Sequence, residues 1–295
     1  MSELRFGTTL RGWAGVAVLL CAALASSTRA QEPPYFVTYS HDLEEPGNLE
    51  VAIKNGIGKP ANGNRFYSAT SEIEYGATAW WTTELYLGGV SAANDSTIFT
   101  GYRWENRFRP LLREHWINPV LYVEYEHLSL ADRSLLEVVG HESVADLALS
   151  NAQGRSEVEK AFEMKLILSS RFRGWNVAEN FIAEKELNDE PWEYGYALGV
   201  SRPLALAASN KNCVFCRENF AVGLELYGGL GDSNGFGWRA TSQYLGPTVA
   251  FSIPKGPTIT FSPNFGLNDN GLGVFYRFKV SYEVQQIFSH FHNGN

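Results

Sequence analysis

The stretch GVFYRFKVSYEV, residues 273 to 284, alternates without a slip. Val274, Tyr276, Phe278, Val280, Tyr282 and Val284 fall on one side; Phe275, Arg277, Lys279, Ser281 and Glu283 fall on the other. A period of two is the pattern of a strand. The fold turns on which solvent lies against each face. A soluble sheet buries its large residues against a partner, whereas a membrane barrel shows them to lipid and turns the charged set inward.

The same alternation recurs upstream, giving about twelve segments in all, with ten or fourteen as the alternative counts. They run over 48–56, 65–76, 81–89, 96–108, 119–128, 160–172, 175–187, 192–201, 219–229, 243–253, 257–267 and 273–284. In 65–76, Tyr67, Ala69, Ile73 and Tyr75 oppose Ser68, Thr70, Glu72 and Glu74, and in 96–108, Ile98, Tyr102, Trp104 and Phe108 oppose Arg103, Glu105 and Arg107. Segment 175–187 is the poor fit: either register sets Glu179, or Glu184 and Glu186, among apolar neighbours, so a bulge or an exposed end is expected there. An even count suits an antiparallel barrel with both chain ends on one side. The expected turns on that side are short at 77–80, 173–174 and 254–256 and long at 109–118 and 202–218. The short-inside, long-outside rule is therefore met only in part.

Length favours lipid over a partner sheet, because sandwich strands average about 5–6 residues and a tilted bilayer crossing takes about 9–11. Tyr67, Tyr75, Trp80, Trp81, Trp104, Trp175, Trp192, Tyr194 and Tyr244 are placed near segment ends, where interfacial girdles hold a phenol or indole in the headgroups. The opposite faces carry too much charge for a dry sandwich, in which each unpaired charge costs several kcal/mol or more. The fold expected is all-β: an antiparallel transmembrane barrel over about 48–284 with one helical outer-loop insertion over about 129–159 and a tail, 285–295. In the insertion, Leu135, Leu136, Val138, Val139, Val144, Leu147 and Leu149 take a helical spacing with Asp132 as its cap.

Residues 1–30 read as a cleaved secretory signal: Arg5 and Arg11 precede the apolar run 14–25, and Thr28-Arg29-Ala30 supplies a small residue at the cut. Removing them leaves a chain two units more acidic than the −8 of the whole, which excludes nucleic acid as a partner. No later stretch offers the roughly 18 consecutive apolar residues of a spanning helix. Residues 31–47 hold no plug domain or energy-coupling segment, which argues against a TonB-type receptor. An exported chain of this kind is periplasmic, secreted or inserted in a bacterial outer membrane; the strand pattern selects the last.

EIEYGATAWWTTELYL (72–87), PVLYVEYE (119–126), QYLGPTVAFSI (243–253) and the closing GVFYRFKVSYEV together resemble the transporter-like, phenol-degradation-pathway group of bacterial outer-membrane barrels. The resemblance covers most of the chain after residue 30 and rests on loose motifs shared by many barrels. It implies a passive channel for small solutes, inserted by the barrel-assembly machinery among outer-membrane lipid. Many such barrels finish on an aromatic residue. Here QQIFSHFHNGN follows Val284, so either Phe288 ends a longer last strand or the tail hangs free.

Candidate pore-lining residues are the charged members of the inward faces: Glu72, Glu74, Glu84, Arg103, Glu105, Arg107, Glu124, Glu126, Glu163, Lys165, Arg171, Glu193, Glu225, Arg277 and Lys279. They either close the interior as ion pairs or set the field that a permeating solute meets. Cys213 and Cys216 form C-x-x-C with Arg217 where haem attachment needs His and with no further zinc ligands nearby, so a local structural disulfide is expected in an oxidising compartment. His141, Glu142 and Ser143 are adjacent in sequence and do not set up a nucleophile and base, and His290 and His292 are weak metal ligands on a tail. No cofactor, metal or catalytic residue is assigned. A closed adhesive or structural barrel is the alternative function, and a rim-located lipid hydrolase the second.

Overall fold

The computed structural model describes residues 33–134, 139, 146–206 and 213–287. The strands are β1 (Leu49–Gly58), β2 (Phe66–Thr78), β3 (Trp81–Ala92), β4 (Thr97–Phe108), β5 (Asn118–Ser129), β6 (Val158–Phe172) and β7 (Trp175–Glu186), then β8 (Glu193–Pro203), β9 (Phe220–Asp232), the short β10 (Gly235–Phe236), β11 (Gln243–Ser252), β12 (Thr258–Gly266) and β13 (Val274–Val284). Every pairing is antiparallel. β13 joins β1, and β9 pairs with both β8 and β11, so twelve strands close on themselves while β10 extends β9 as a two-residue hairpin at the rim. Closure leaves no open edge, the condition for a sheet that crosses hydrocarbon.

The opening alternation maps directly onto the wall. In β13, Phe275, Arg277 and Ser281 are buried while Tyr276 and Phe278 are exposed. Around the ring the outward residues are apolar, among them Ile53, Leu85, Val123, Leu166, Phe181, Val222 and Phe261, and all of them are exposed. The inward residues are mostly polar or charged and buried. A single closed sheet with a greasy outside and an ionic inside is a transmembrane β-barrel.

Three local readings are corrected by the wall. Gly88 pairs with Gly101 but Gly89 pairs with Phe99, a bulge that gives β4 an extra residue. The bulge reverses the alternation, so Phe99 points outward at 65% exposure and Ile98 packs against the interior cluster. Gly101 at φ 149° makes this possible, since a Cβ there would overlap the His127 carbonyl. β7 needs no bulge: its registers with β6 and β8 run unbroken, and Glu179 lies exposed on the outer face between Val177 and Phe181. Tyr244 points inward, its hydroxyl accepting the Leu272 N–H at 2.7 Å, and Trp104 lies in mid-strand, donating its indole N–H to Thr83 at 3.0 Å. Neither belongs to a rim girdle. Trp80, Trp81 and Phe108 do, packed ring on ring beside the β2–β3 turn.

The expected helical insertion is described only at its ends. Asp132 caps a turn by accepting the Ser134 N–H, Asp146–Ala148 form one 3-10 turn, and α1 (Asn151–Gly154) is a single turn with a capping box between Ser150 and Gln153. Leu135, Leu136, Val138 and Val144 lie outside the described residues, as do the signal 1–30, His141 to Ser143, and 288–295 with Phe288, His290 and His292. Ala131 and Leu147, at the described ends of this loop, join the buried interior cluster with Phe66, Val90, Tyr244, Leu272 and Phe275.

Candidate functional site

Residues 33–46, in a stretch from which the sequence reading expected no plug domain, enter the barrel and cross its lumen as a strap. Glu225 on β9 receives three successive backbone N–H groups of this strap, from Phe36 at 2.9 Å, Val37 at 2.9 Å and Thr38 at 2.8 Å. Asn180 on β7 accepts the Tyr39 N–H and donates to the Tyr39 carbonyl. Ser169 on β6 accepts the His41 N–H, and Arg171 holds Asp42 through two hydrogen bonds. The strap has no strand partner, so wall side chains satisfy its backbone. Tyr35 donates to Asn176, and burial pushes its hydroxyl pKa well up, which keeps it a donor. Gly76 gives the strap room to turn in, because a Cβ there would overlap the Glu45 carbonyl.

The pore-lining candidates are brought together on the wall above and beside the strap. Arg107 reaches Glu74, Glu84 and Glu105; Arg103 pairs with Glu124 at 3.0 Å, Lys165 with Glu163 at 2.8 Å and Lys279 with Glu50 at 3.6 Å. Lys54, missed by sequence reasoning because it stands alone in a weakly patterned segment, pairs with Glu72. Tyr39 and Tyr86 both donate to Glu105, at 2.9 and 2.7 Å, which ties the strap to the middle of the charged wall. Arg277 lies over the rings of Tyr227 and Phe275. Glu225 and Arg171 serve the strap.

A larger order runs through these groups. Glu283 stands directly opposite Glu50, Glu50 opposite Glu74, Glu74 opposite Glu84, and Glu84 opposite Glu105. Glu105 then faces Glu124, Glu124 faces Glu163, Glu163 faces Glu184, Glu184 faces Glu193, and Glu193 faces Asp232. Ten adjacent strands of the ring each place an acid in one register row. The row climbs because barrel strands are tilted, by about 35–45°. Glu50 and Glu283 lie at the end that bears the chain termini, Glu105 and Glu124 at mid-strand, and Glu193 and Asp232 at the opposite rim. Glu50 and Asp232 were not singled out from the sequence, Glu184 was read there only as a misfit of its segment, and Glu283, placed on the inward face, was not among the pore-lining candidates; the row itself was missed, since strand register is invisible in sequence. Within and beside the row, one carboxylate oxygen from each of Glu124, Glu126 and Glu163 lies within 4.8 Å of the others, as also for Glu50, Glu72 and Glu74.

The lumen is packed rather than open. The strap, the charged wall and the apolar cluster leave a cavity of about 80 Å³ whose lining includes Tyr35, Tyr39, Lys54, Glu72, Glu84 and Lys279. Cys213 and Cys216 are joined by a disulfide in the β8–β9 turn, with Asn219 donating to the Cys213 and Val214 carbonyls.

Fold and interior together define the class, a transmembrane antiparallel β-barrel with an ionic lumen. No protein-family model and no curated protein matches the chain. Among solved structures, an outer membrane channel from Pseudomonas putida F1 is similar at 14% identity and a TM-score of 0.49, over 82% of this chain and 96% of its own. The NanC porin is similar at 11% identity and 0.47, over 79% and 100%. LpxR from Salmonella typhimurium is similar at 9% and 0.41, over 79% and 99%. These are likenesses of barrel form.

Proposed function

We propose that this chain is a bacterial outer-membrane barrel that acts as a passive channel for small solutes, with its termini on the periplasmic side and the strap 33–46 as the element that must yield for passage. One observation carries the reading: beside the apolar cluster, the closed wall turns ion pairs and hydroxyls inward, an interior that hydrates once the strap moves. The strap is held by side-chain hydrogen bonds and lacks the ladder of a thirteenth wall strand, so its release leaves the barrel whole. The partners of this reading are outer-membrane lipid, the assembly machinery and the solute.

The packed lumen favours a second reading, a closed barrel with a structural or adhesive role carried by its outer loops. The two are separated by single-channel recording in planar bilayers. Discrete conductance steps, larger after deletion of residues 33–44, support the channel; silence from both forms across voltage and salt supports the closed barrel. The residues from which the rim-hydrolase alternative was read, His141, Glu142 and Ser143, lie outside the described residues.

A further inference from the structure

The carboxylate row raises a problem that the wall itself does not solve. Like charges directly opposite one another across a strand pair are destabilising, and a buried charge without a partner costs several kcal/mol. In the half of the row nearest the chain termini, protein cations answer it: Lys279, Arg107 and Arg103 reach Glu50, Glu74, Glu84, Glu105 and Glu124. In the other half, Lys165 answers Glu163, while Glu126, Glu184 and Glu193 meet no basic group within ion-pair distance among the described residues.

Two oxygens of the row point independently to a missing ligand. Glu124 is fully buried, and although its Oε1 takes Arg103, its Oε2 has no hydrogen-bond partner. Glu84, 3% exposed and lining the cavity, likewise leaves Oε1 without a donor. An ionised carboxylate oxygen can only accept, so what is missing at both is a cation, a donor or a proton of their own.

We propose that the row is a cation path: small monovalent cations, K⁺ or a primary ammonium, supply the counter-charge that Glu126, Glu184 and Glu193 lack and pass from one carboxylate to the next. Neighbouring strands are about 4.8 Å apart, so successive carboxylates can share one ion, and the row reaches from one end of the barrel to the other. The Glu124, Glu126 and Glu163 oxygens form its tightest station. Among the described residues, anions find no comparable row of bases. Arg103, Arg107, Lys165 and Lys279 are each engaged with an acid. This inference names the solute class of the proposed channel and rests on that reading.

The test is the reversal potential of the full mature chain in planar bilayers under a KCl gradient. Cation preference is expected, and the potential should move toward zero in Glu163→Gln/Glu184→Gln and, less, in Glu193→Gln at the rim. Should the double variant fail to form a barrel, the wild-type potential and Glu193→Gln decide. Conductance without cation preference overturns the cation path and leaves the channel standing. So does a preference unchanged in folded variants, which removes the row from the explanation. No conductance in any salt overturns both.

Discussion

Asn180 grips Tyr39 as a neighbouring strand would, accepting its N–H at 2.7 Å and donating to its carbonyl at 2.9 Å. One amide side chain thus stands in for a pair of ladder bonds and, with Glu225, carries most of the strap's backbone. Hydrogen bonds to a charged group are worth about 1.5–3 kcal/mol each, so Glu225→Ala should loosen the strap more than Asn180→Ala. The expected result is faster amide exchange at Phe36, Val37 and Thr38 and increased conductance, with cold and heated gel migration unchanged.

Arg107 is the keystone of the lower wall. It is 7% exposed and faces three carboxylates. Arg107→Met leaves those acids buried and unanswered, and breaking such a group costs about 3–5 kcal/mol. The temperature at which the folded gel band disappears should fall strongly. Arg107→Lys should recover only part of the loss, because a point charge cannot reach three partners as a guanidinium does.

The wall has one weak seam. Leu245 pairs with Phe265 and Val249 with Phe261, which sets Pro247 opposite Pro263 with no registered pairing between 246 and 248 on β11 and β12. Proline has no N–H, so two ladder bonds are missing at mid-strand. The double substitution Pro247→Val/Pro263→Val should restore them and raise the thermal midpoint of the folded band, by about 1 kcal/mol per bond gained. A lowered midpoint would show that the prolines are needed for wall curvature.

Asp95, in the β3–β4 turn, anchors α1 at the described end of the β5–β6 loop. Its carboxyl accepts the Asn151 N–H at 2.7 Å and the Ser96 N–H, and these, the Asn151 bond first, hold its pKa below the ordinary value. A depressed folded pKa stabilises the docked loop above the unfolded pKa, and that contribution is lost as pH falls through the folded one. Exchange at the Asn151 amide, corrected for intrinsic rate, should therefore rise on acidification, and Asp95→Asn should remove that dependence.

The wall was legible in the sequence to within a few residues per strand, from 48–56 against Leu49–Gly58 to 273–284 against Val274–Val284. The reason is physical: lipid and lumen impose opposite chemistry on successive residues, so each strand carries its own signature. What depends on more than one strand was not legible. The bulge that turns Ile98 inward lies between β3 and β4, and the carboxylate row exists only through nine registers. Glu179 offended the pattern and prompted a bulge or an exposed end; the strand runs without a bulge and Glu179 stands on its outer face. The strap was hidden because its residues pair with side chains and so carry no period.

A transmembrane wall requires hydrocarbon against its outward residues. Nitroxide labels at Leu85, Val123, Leu166 and Phe278 in bilayer-reconstituted protein test this most directly, by collision with oxygen against a water-soluble nickel complex. The account predicts that oxygen dominates at all four positions. Dominance of the nickel complex at these sites would place water, or a soluble partner, against the face assigned to lipid and contradict the account.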